Sequence, residues 1–265
     1  MKAIFTHFKI ALVLLIIAAP GKLLAQVPDV ILHNGTSAII NASGYTFAAN
    51  DEVVWEETYN NGTTTTNPII APKLYNAGNP SATSHTVTTA DGAGLHTYKM
   101  RVKSGTTGCY SDYSDPKTVY ILPNINIAFV DATADNYCEN VGSPSKAIVA
   151  KAEPSIPALA PLPGGIGYSY LWTVTKNGAP VSDLTTVGSL PTAGTTTLED
   201  QSTFTMTTDS PGEYIFTVNV KYFTLSNNPN PNSVKLGVTP LSFATAVTKK
   251  ITVVLKPTKP NISII

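Results

Sequence analysis

The sequence predicts an all-β protein made of two tandem antiparallel β-sandwich domains. After the first 25 residues, Val, Ile, Thr and Tyr alternate with polar residues at period two, and clusters of Gly, Pro, Asn and Asp interrupt them. This is the pattern of short strands and turns. Helical periodicity is nearly absent, and the two halves of the chain match each other. A chain of 265 residues is long enough for two domains with separate cores. We predict domains at 26–122 and 123–256, then an orphan strand or linker at 257–265.

The composition excludes several classes of function. Charged residues make up 13% of the chain, about half of the roughly 25% that is usual in soluble domains. Lys plus Arg and Asp plus Glu number 17 each, so there is no net field to attract nucleic acid. No block of like charge is present to form a disordered tail. We therefore expect no nucleic-acid partner.

Residues 1–25 have the features of a signal peptide. Lys2 and Lys9 give a positive start, the apolar run 10–19 follows, and the expected cleavage precedes Gln26. The run is shorter than the roughly 20 residues that a membrane-spanning helix needs, although a retained N-terminal anchor is an alternative. We predict export to the periplasm, the cell surface or the extracellular space, without membrane insertion after cleavage.

Alternating apolar residues mark ten strands in chain order. The predicted strands are 37–41, 52–56, 84–89, 97–103, 117–121, 147–151, 168–175, 203–208, 213–222 and 248–255. Many short strands without a helix are typical of sandwiches and barrels. Two longer connections, 154–163 and 225–240, lie outside this pattern. Because loops at sandwich ends often bind partners, we expect both to contribute to a partner surface.

The two halves of the chain share an internal repeat. Trp55 opens one strand and Trp172 opens another, and Tyr98 and Tyr214 follow them by 43 and 42 residues. Agreement at two anchors indicates a duplication with loop insertions. We expect these four aromatic residues to fill the two cores. On this evidence, replacing either Trp with Ala destabilises its domain by about 3–5 kcal/mol.

The spacing of a strand Trp and a later Gly-x-Tyr-x-x-x-Val, here Gly212 to Val218, resembles immunoglobulin-like and PKD-like modules of bacterial surface proteins. The resemblance implies seven-stranded sandwiches with a core Trp and a Tyr near the sheet corner. The chain departs from these families in two ways. Lys176-Asn177-Gly178 replaces the Gly-Asp-Gly turn of PKD modules, and the Cys pair of antibody domains is missing.

A proline-led pattern recurs at the expected start of each domain and once more near residue 260. Residues 28–31 and 123–127 begin the first strands of the two domains, and 260–264 repeats the Pro-Asn-Ile-x-Ile form of 123–127. We interpret 260–265 as an orphan strand that adds to the sheet of a neighbouring molecule. Its apolar anchors are Ile262, Ile264 and Ile265. A frayed tail, or a strand folded back on its own domain, is the alternative.

The residues that carry catalytic chemistry are scarce. No nucleophile elbow, phosphate loop or dinucleotide fingerprint is present. The three histidines after the signal peptide, His33, His85 and His96, lack the clustering that a zinc site needs. We predict that the protein is not an enzyme and holds no cofactor.

Calcium is the one metal that the sequence leaves open. Asp131 with Asp135-Asn136, and Asp112 with Asp115, form oxygen-rich segments of the kind that calcium prefers. Ordinary Asp and Asn turn chemistry explains the same residues more simply.

Two tyrosines and two cysteines complete the candidates. Tyr110, Asp112 and Tyr113 lie in an expected exposed loop, where the rings can stack on sugars or on a protein partner. Cys109 and Cys138 are predicted to be unbridged, because a disulfide needs Cα atoms within about 7 Å and their turns belong to distant ends of the domains.

The sequence therefore favours a non-catalytic, exported structural or adhesive protein of the cell surface that self-assembles through its C-terminal strand. The alternative is a glycan- or protein-binding module that acts through loop aromatics. Self-association, another surface protein and a glycan remain open as partners.

Overall fold

The computed structural model describes residues 27–76, 80–130, 135–139, 146–159, 162–190, 196–197, 200–237, 247–257 and 259. The predicted signal peptide lies outside these residues. So do Asp131 and the predicted assembly strand with Ile262, Ile264 and Ile265.

Strands dominate the described residues. The first eight are β1 (Val30–Leu32), β2 (Ser37–Asn41), β3 (Glu52–Asn60), β4 (Thr65–Thr66), β5 (Lys73–Leu74), β6 (Ser84–Thr88), β7 (Gly94–Lys103) and β8 (Lys117–Ile121). The others are β9 (Ile125–Phe129), β10 (Asp135–Cys138), β11 (Lys146–Pro154), β12 (Ile166–Lys176), β13 (Ala179–Pro180), β14 (Gly188–Ser189), β15 (Thr196–Thr197), β16 (Gln201–Met206), β17 (Gly212–Thr224), β18 (Val234–Lys235) and β19 (Val247–Val254). Helical structure is limited to short 3-10 turns, and no helix within the described ranges has the length and apolar character needed to cross a membrane.

The first sandwich packs two sheets against each other. One sheet has the order β18-β1-β8-β7-β3-β4, with β5 also paired to β3, and the other consists of β2 and β6. Residues on β3 and β7 alternate between buried and more exposed positions, as expected for strands with one face toward a core. Trp55 and Tyr98 lie on the buried faces of these strands.

The second sandwich repeats this arrangement. Its sheets have the orders β10-β19-β17-β12-β13, with β15 also on β12, and β14-β16-β11-β9. In both sandwiches an early strand pairs in parallel with the last strand, β1 with β8 and β10 with β19. The strand order and Greek-key connections are those of an immunoglobulin-like sandwich. The prediction of an all-β, immunoglobulin-like fold is confirmed, while the domain boundaries stay predictions.

The second core is the larger one. Trp172 and Tyr214 are buried in it with Phe204 and Phe216, and the Trp172 indole Nε1 donates a hydrogen bond to Ser202 Oγ over 2.9 Å. The first sandwich divides its core between a cluster around Tyr98 and one around Trp55.

All ten predicted strands are confirmed, five of them longer than predicted. One prediction needs correction: Asp135 and Asn136 lie in β10, not in an oxygen-rich loop. Nζ atoms of Lys146 and Lys249 lie 3.0 and 3.2 Å from Asp135 Oδ2. Burial acts to raise the pKa of Asp135, but hydrogen bonds and charge from the two lysines outweigh it and lower the pKa. Two ammonium groups thus compensate this carboxylate.

The structure aligns the two repeats two residues away from the alignment that the sequence predicted. In the β3–β7 pair Trp55 lies opposite Met100, and in the β12–β17 pair Trp172 lies opposite Val218. Counting back four residues from each partner gives His96 and Tyr214 as equivalents, so Tyr98 corresponds to Phe216 and not to Tyr214. Matching residue types between the repeats paired Tyr98 with Tyr214, which are not equivalent in the structure. Equivalent positions are set by strand register and not by residue type.

The two long connections contact the opposite sandwich. Within 225–240, β18 pairs in parallel with β1 of the first sandwich. Within 154–163, the backbone oxygen of Leu159 accepts a hydrogen bond of 3.2 Å from the Tyr120 hydroxyl. These parts of the connections therefore join the sandwiches instead of forming a free partner surface. The sequence shows no sign of these contacts because they join distant positions, 39 apart for Tyr120 and Leu159 and about 200 apart for β1 and β18.

The two cysteines are unbridged, as predicted. Cys109 and Cys138 are both exposed and carry free thiols. Cys109 lies in the connection after β7 of the first sandwich, and Cys138 ends β10 of the second.

Candidate binding surface

The outer face of the first sandwich carries charged side chains along β3 and β7. Glu52 lies opposite Lys103, Val54 opposite Arg101 and Glu56 opposite Lys99. Their side chains alternate with the buried residues, so they project from the sheet away from the core. Lys103 Nζ lies 3.4 Å from Glu52 Oε2.

Residues 110–115 form an irregular segment just before β8. The segment runs along the part of the β7 edge that β8 does not cover. Ser111 N–H donates to the oxygen of Val102, and Val102 N–H donates to Ser111 Oγ, at 2.8 and 3.0 Å. Ser114 makes the same reciprocal pair with Met100, at 2.8 and 3.1 Å. A serine hydroxyl replaces a backbone carbonyl in each pair. The segment is thereby fixed to the strand without continuing the regular ladder.

This segment places Tyr110 and Tyr113 against the side chain of Arg101. The guanidinium carbon lies 4.3 Å from the ring centroid of Tyr110 and 4.8 Å from that of Tyr113, within cation–π distance. The two tyrosines remain 50% and 43% exposed. We call Arg101, Tyr110, Tyr113 and Glu56 the tyrosine patch.

Glu56 holds the patch together. The Tyr113 hydroxyl donates a short hydrogen bond to Glu56 Oε1, and Arg101 Nη2 lies 3.6 Å from the same oxygen. The hydrogen bond to Glu56 raises the pKa of Tyr113, because it favours the protonated phenol that donates it. The Tyr113 ring and its hydroxyl are therefore oriented before any partner arrives.

A cleft of about 540 Å³ adjoins the patch and shares Glu56 with it. This volume falls in the range of small-ligand sites, roughly 300–1,000 Å³. The cleft lies between β3, the start of β7 and the connection after β4, and it mixes polar and apolar groups. Its lining includes Val54, Glu56, Thr58, Asn67, Pro68, Ile69, Thr97 and Lys99. At its rim Ile69 is 97% exposed.

Asp112 is exposed beside the patch, and its backbone oxygen accepts a hydrogen bond of 2.9 Å from Ser111 Oγ. Asp115 is exposed in the same segment. Within the described ranges no three His, Cys, Asp or Glu residues come together to hold a metal ion. Calcium binding thus stays an untested alternative.

Comparisons with known proteins add little at this point. No protein-family model matches the chain, and no curated protein matches it. Among solved structures, it is similar to fibronectin(III)-like modules of Clostridium thermocellum CbhA, with 13% identity, a TM-score of 0.29, and coverage of 90% of this chain and 97% of that one. The FN1–FN3 domains of chicken CNTN1 give 12% identity, a TM-score of 0.36, and coverage of 86% and 66%. The amphioxus IgVJ-C2 molecule gives 13% identity, a TM-score of 0.28, and coverage of 74% and 98%. The fold assignment rests on strand order, not on these scores.

The sequence identified the two tyrosines of the patch but missed Arg101, Glu56 and the cleft. A signal was available, since Lys99, Arg101 and Lys103 alternate along one strand and so share its outer face. Glu56 gave no such signal, because only the pairing of β3 with β7 brings it close to residues 45 and more positions away.

Proposed function

We propose that the protein is an exported, non-catalytic structural and adhesive protein of the cell surface or extracellular space, and that it binds a surface glycan through the tyrosine patch. The observation that carries this proposal is the fixed pair of exposed tyrosine rings on Arg101, next to a cleft of about 540 Å³. The patch lies on a sheet, whose rigidity limits the entropy lost on binding.

The chemistry of the patch suits a polar polymer. Tyrosine rings offer rigid contact area with a polar end, and one face of each ring packs on the guanidinium, leaving much of the rest exposed. Hydroxyl, amide, ammonium and carboxylate groups line the adjoining cleft, from Thr58, Asn67, Lys99 and Glu56. A sugar chain presents C–H faces that can stack on the rings and hydroxyls that can donate to or accept from these polar groups.

Retention of the full chain on a panel of insoluble polysaccharides tests the glycan assignment. The double variant Tyr110→Ala, Tyr113→Ala is expected to lose retention on any polysaccharide that holds the wild type. Phe223→Ala is the matched control, because Phe223 is an exposed aromatic residue of the second sandwich. Equal retention of the double variant, or no retention of the wild type on the whole panel, would overturn the assignment. Near-ultraviolet circular dichroism checks that each variant is folded.

Self-assembly through residues 260–265 is the second candidate function. The specific observation in its favour is that the matching Pro-Asn-Ile-x-Ile pattern at 123–127 forms β9, which pairs with the edge of β11. We propose that 260–264 forms a similar strand, anchored by Ile262, Ile264 and Ile265, on the sheet of a neighbouring molecule.

Light scattering after size-exclusion chromatography tests this candidate, with the full chain beside a version that ends at Lys256. The shortened chain retains β19, which ends at Val254. Concentration-dependent dimers or polymers of the full chain alone are expected. Monomers of both chains at every concentration would contradict self-assembly through this strand.

A further inference from the structure

The contact between the two sandwiches is apolar and continuous with the second core. Ile31 of β1 and Leu122, which follows β8, belong to the same buried cluster as Trp172 and Phe216. Tyr120 packs against this cluster and donates to the Leu159 oxygen. The junction therefore removes apolar surface from water and favours one relative placement of the sandwiches.

Strand β18 extends from the second sandwich and pairs with the first across the junction. It pairs in parallel with β1, with Val234 opposite Ile31 and Lys235 opposite Leu32. The Lys235 oxygen accepts hydrogen bonds from His33 N–H at 3.0 Å and from Thr36 Oγ1 at 2.9 Å. The contact involves only two residues of β18 and the hydrogen bonds to the Lys235 oxygen. Opening it therefore costs far less free energy than unfolding either sandwich.

His33 lies where the contact between β18 and β1 meets β17. Its ring contacts the Tyr222 ring edge-on, with centroids 5.0 Å apart, and the Tyr222 hydroxyl donates to the Pro123 oxygen at 3.0 Å. His33 Nε2 is buried and has no hydrogen-bond partner among the described residues. Burial lowers the pKa of His33, because removal from water disfavours the charged form of the ring.

We propose that this junction is an acid-sensitive latch, in which protonation of His33 releases β18 from β1 and uncouples the two sandwiches. The sandwiches themselves stay folded, since the release breaks only the β18 contact and the apolar packing at the junction.

Among the described residues, no carboxylate hydrogen-bonds to the buried Nε2 of His33. The ionisable side chains of the junction contacts are Tyr222 of β17, Tyr120 of β8 and Lys235 of β18. Burial raises the pKa of both tyrosines, that of Tyr120 to about 12, so neither supplies a negative charge. Lys235 carries a positive charge, and its Nζ donates to the Ser37 oxygen at 2.9 Å.

The direction of the pH effect follows from linkage. His33 has a lower pKa in the closed junction than the roughly 6.5 of a free imidazole, so the open form binds more protons below that pH. The closed form is therefore favoured above about pH 6.5 and weakens as the pH falls below it.

The native cysteines provide a direct readout of the latch. Cys109 and Cys138 are both exposed, one on each sandwich, and accept a donor and an acceptor dye on the full chain. Transfer efficiency is compared at about pH 7.5 and about pH 5, on either side of the ordinary His pKa of about 6.5. In parallel, hydrogen exchange reports the protection of Val234 and Lys235, corrected for the intrinsic rate at each pH.

In the wild type we expect the transfer efficiency to change on acidification and the protection of Val234 and Lys235 to fall at least about tenfold, the equivalent of one pKa unit. His33→Phe keeps the aromatic contact without a titrating group, so it should show neither change. His85→Phe is the matched control and should behave like the wild type. Burial also lowers the pKa of His85, but its ring contacts Trp55 and Tyr98 inside the first sandwich.

A wild type whose transfer efficiency and protection do not respond to pH would overturn the latch, as would a His33→Phe protein that responds equally. If His33→Phe fails to match the wild-type efficiency at neutral pH, His33→Gln serves as the second neutral variant, with the same outcomes. Loss of near-ultraviolet dichroism in the wild type at about pH 5 would also contradict the proposal, because it predicts that both sandwiches remain folded on either side of the His pKa.

Discussion

His96 occupies in the first sandwich the position that Tyr214 occupies in the second. Each lies two residues after a glycine with positive φ, Gly94 at 141° and Gly212 at 150°. His96 Nε2 lies 2.9 Å from the oxygen of Gly92, and the Tyr214 hydroxyl donates over 2.8 Å to that of Ser210. Both side chains thus bond the backbone four residues upstream, as in the tyrosine corner of immunoglobulin-like sandwiches.

His96 also interacts with a carboxyl group on the neighbouring strand. Its Nδ1 lies 2.6 Å from Glu57 Oε1, which also accepts the Tyr98 hydroxyl. The His96 ring therefore bridges the Glu57 carboxyl group and the Gly92 oxygen inside the first sandwich, where none of its surface is exposed.

Removing the His96 side chain is expected to destabilise the first sandwich. His96→Ala leaves the Glu57 carboxyl group and the Gly92 oxygen without the ring that bridges them, which costs about 1–3 kcal/mol for each buried group left unsatisfied. Urea denaturation followed by circular dichroism measures the free energy of unfolding. A loss of less than about 0.5 kcal/mol, as for an ordinary surface substitution, would contradict this role of His96.

The equivalent change in the second sandwich should be mild. Tyr214→Phe keeps the buried ring and removes only the hydrogen bond to the Ser210 oxygen, a loss of about 0.5–1.5 kcal/mol. The same denaturation experiment measures it. A loss as large as that of His96→Ala would show that the two corners carry equal energy, contrary to the role of Glu57.

Trp172 is expected to be a main support of the second core. Trp172→Ala removes a ring that contacts Phe129 and Phe204 and leaves Ser202 Oγ without its donor. The expected destabilisation is about 3–5 kcal/mol. Leu171→Ala, on the exposed face of the same strand, is the control and should change stability by less than about 0.5 kcal/mol. Similar losses in both variants would mean that the indole does not anchor the core.

Acid should weaken the first sandwich through Asp51. Only 2% of this residue is exposed, and its carboxylate accepts the N–H groups of Ala48 and Gly105 at 2.9 and 3.0 Å. These hydrogen bonds hold the pKa of Asp51 below its usual value.

The sign of this effect is fixed by the lowered pKa. The unfolded carboxyl, with a pKa of about 3.9, binds more protons than the folded one. The stabilisation is therefore present above about pH 4 and is lost as the pH falls through the folded pKa. Denaturation midpoints between about pH 6 and pH 2.5 measure it, and Asp51→Asn should be less stable at pH 6 and respond less to acid. Parallel pH curves for the two proteins would rule out Asp51 as the source.

Much of the fold follows from local sequence. Period-two alternation gives the long strands, such as β7 and β17, because one face of each packs on a core and the other meets solvent. Short strands carry too few alternations to be recognised, which is why β10 and β18 escaped prediction. Tyr110 and Tyr113 were identifiable because exposed aromatic residues among polar neighbours are unusual.

The sequence by itself determined the all-β class and the longer strands. Both depend on residue type and on neighbours within about ten positions, where alternation and turn chemistry act. The internal repeat and the unbridged cysteines were predicted from spacing along the chain and from the distance that a disulfide can span. Only the tertiary structure decided that His96 is the corner residue, that Arg101 and Glu56 join the two tyrosines, and that β18 crosses to β1. Each of these depends on strand register between segments far apart in the chain. Register is fixed by the packing of whole sheets and not by any local pattern.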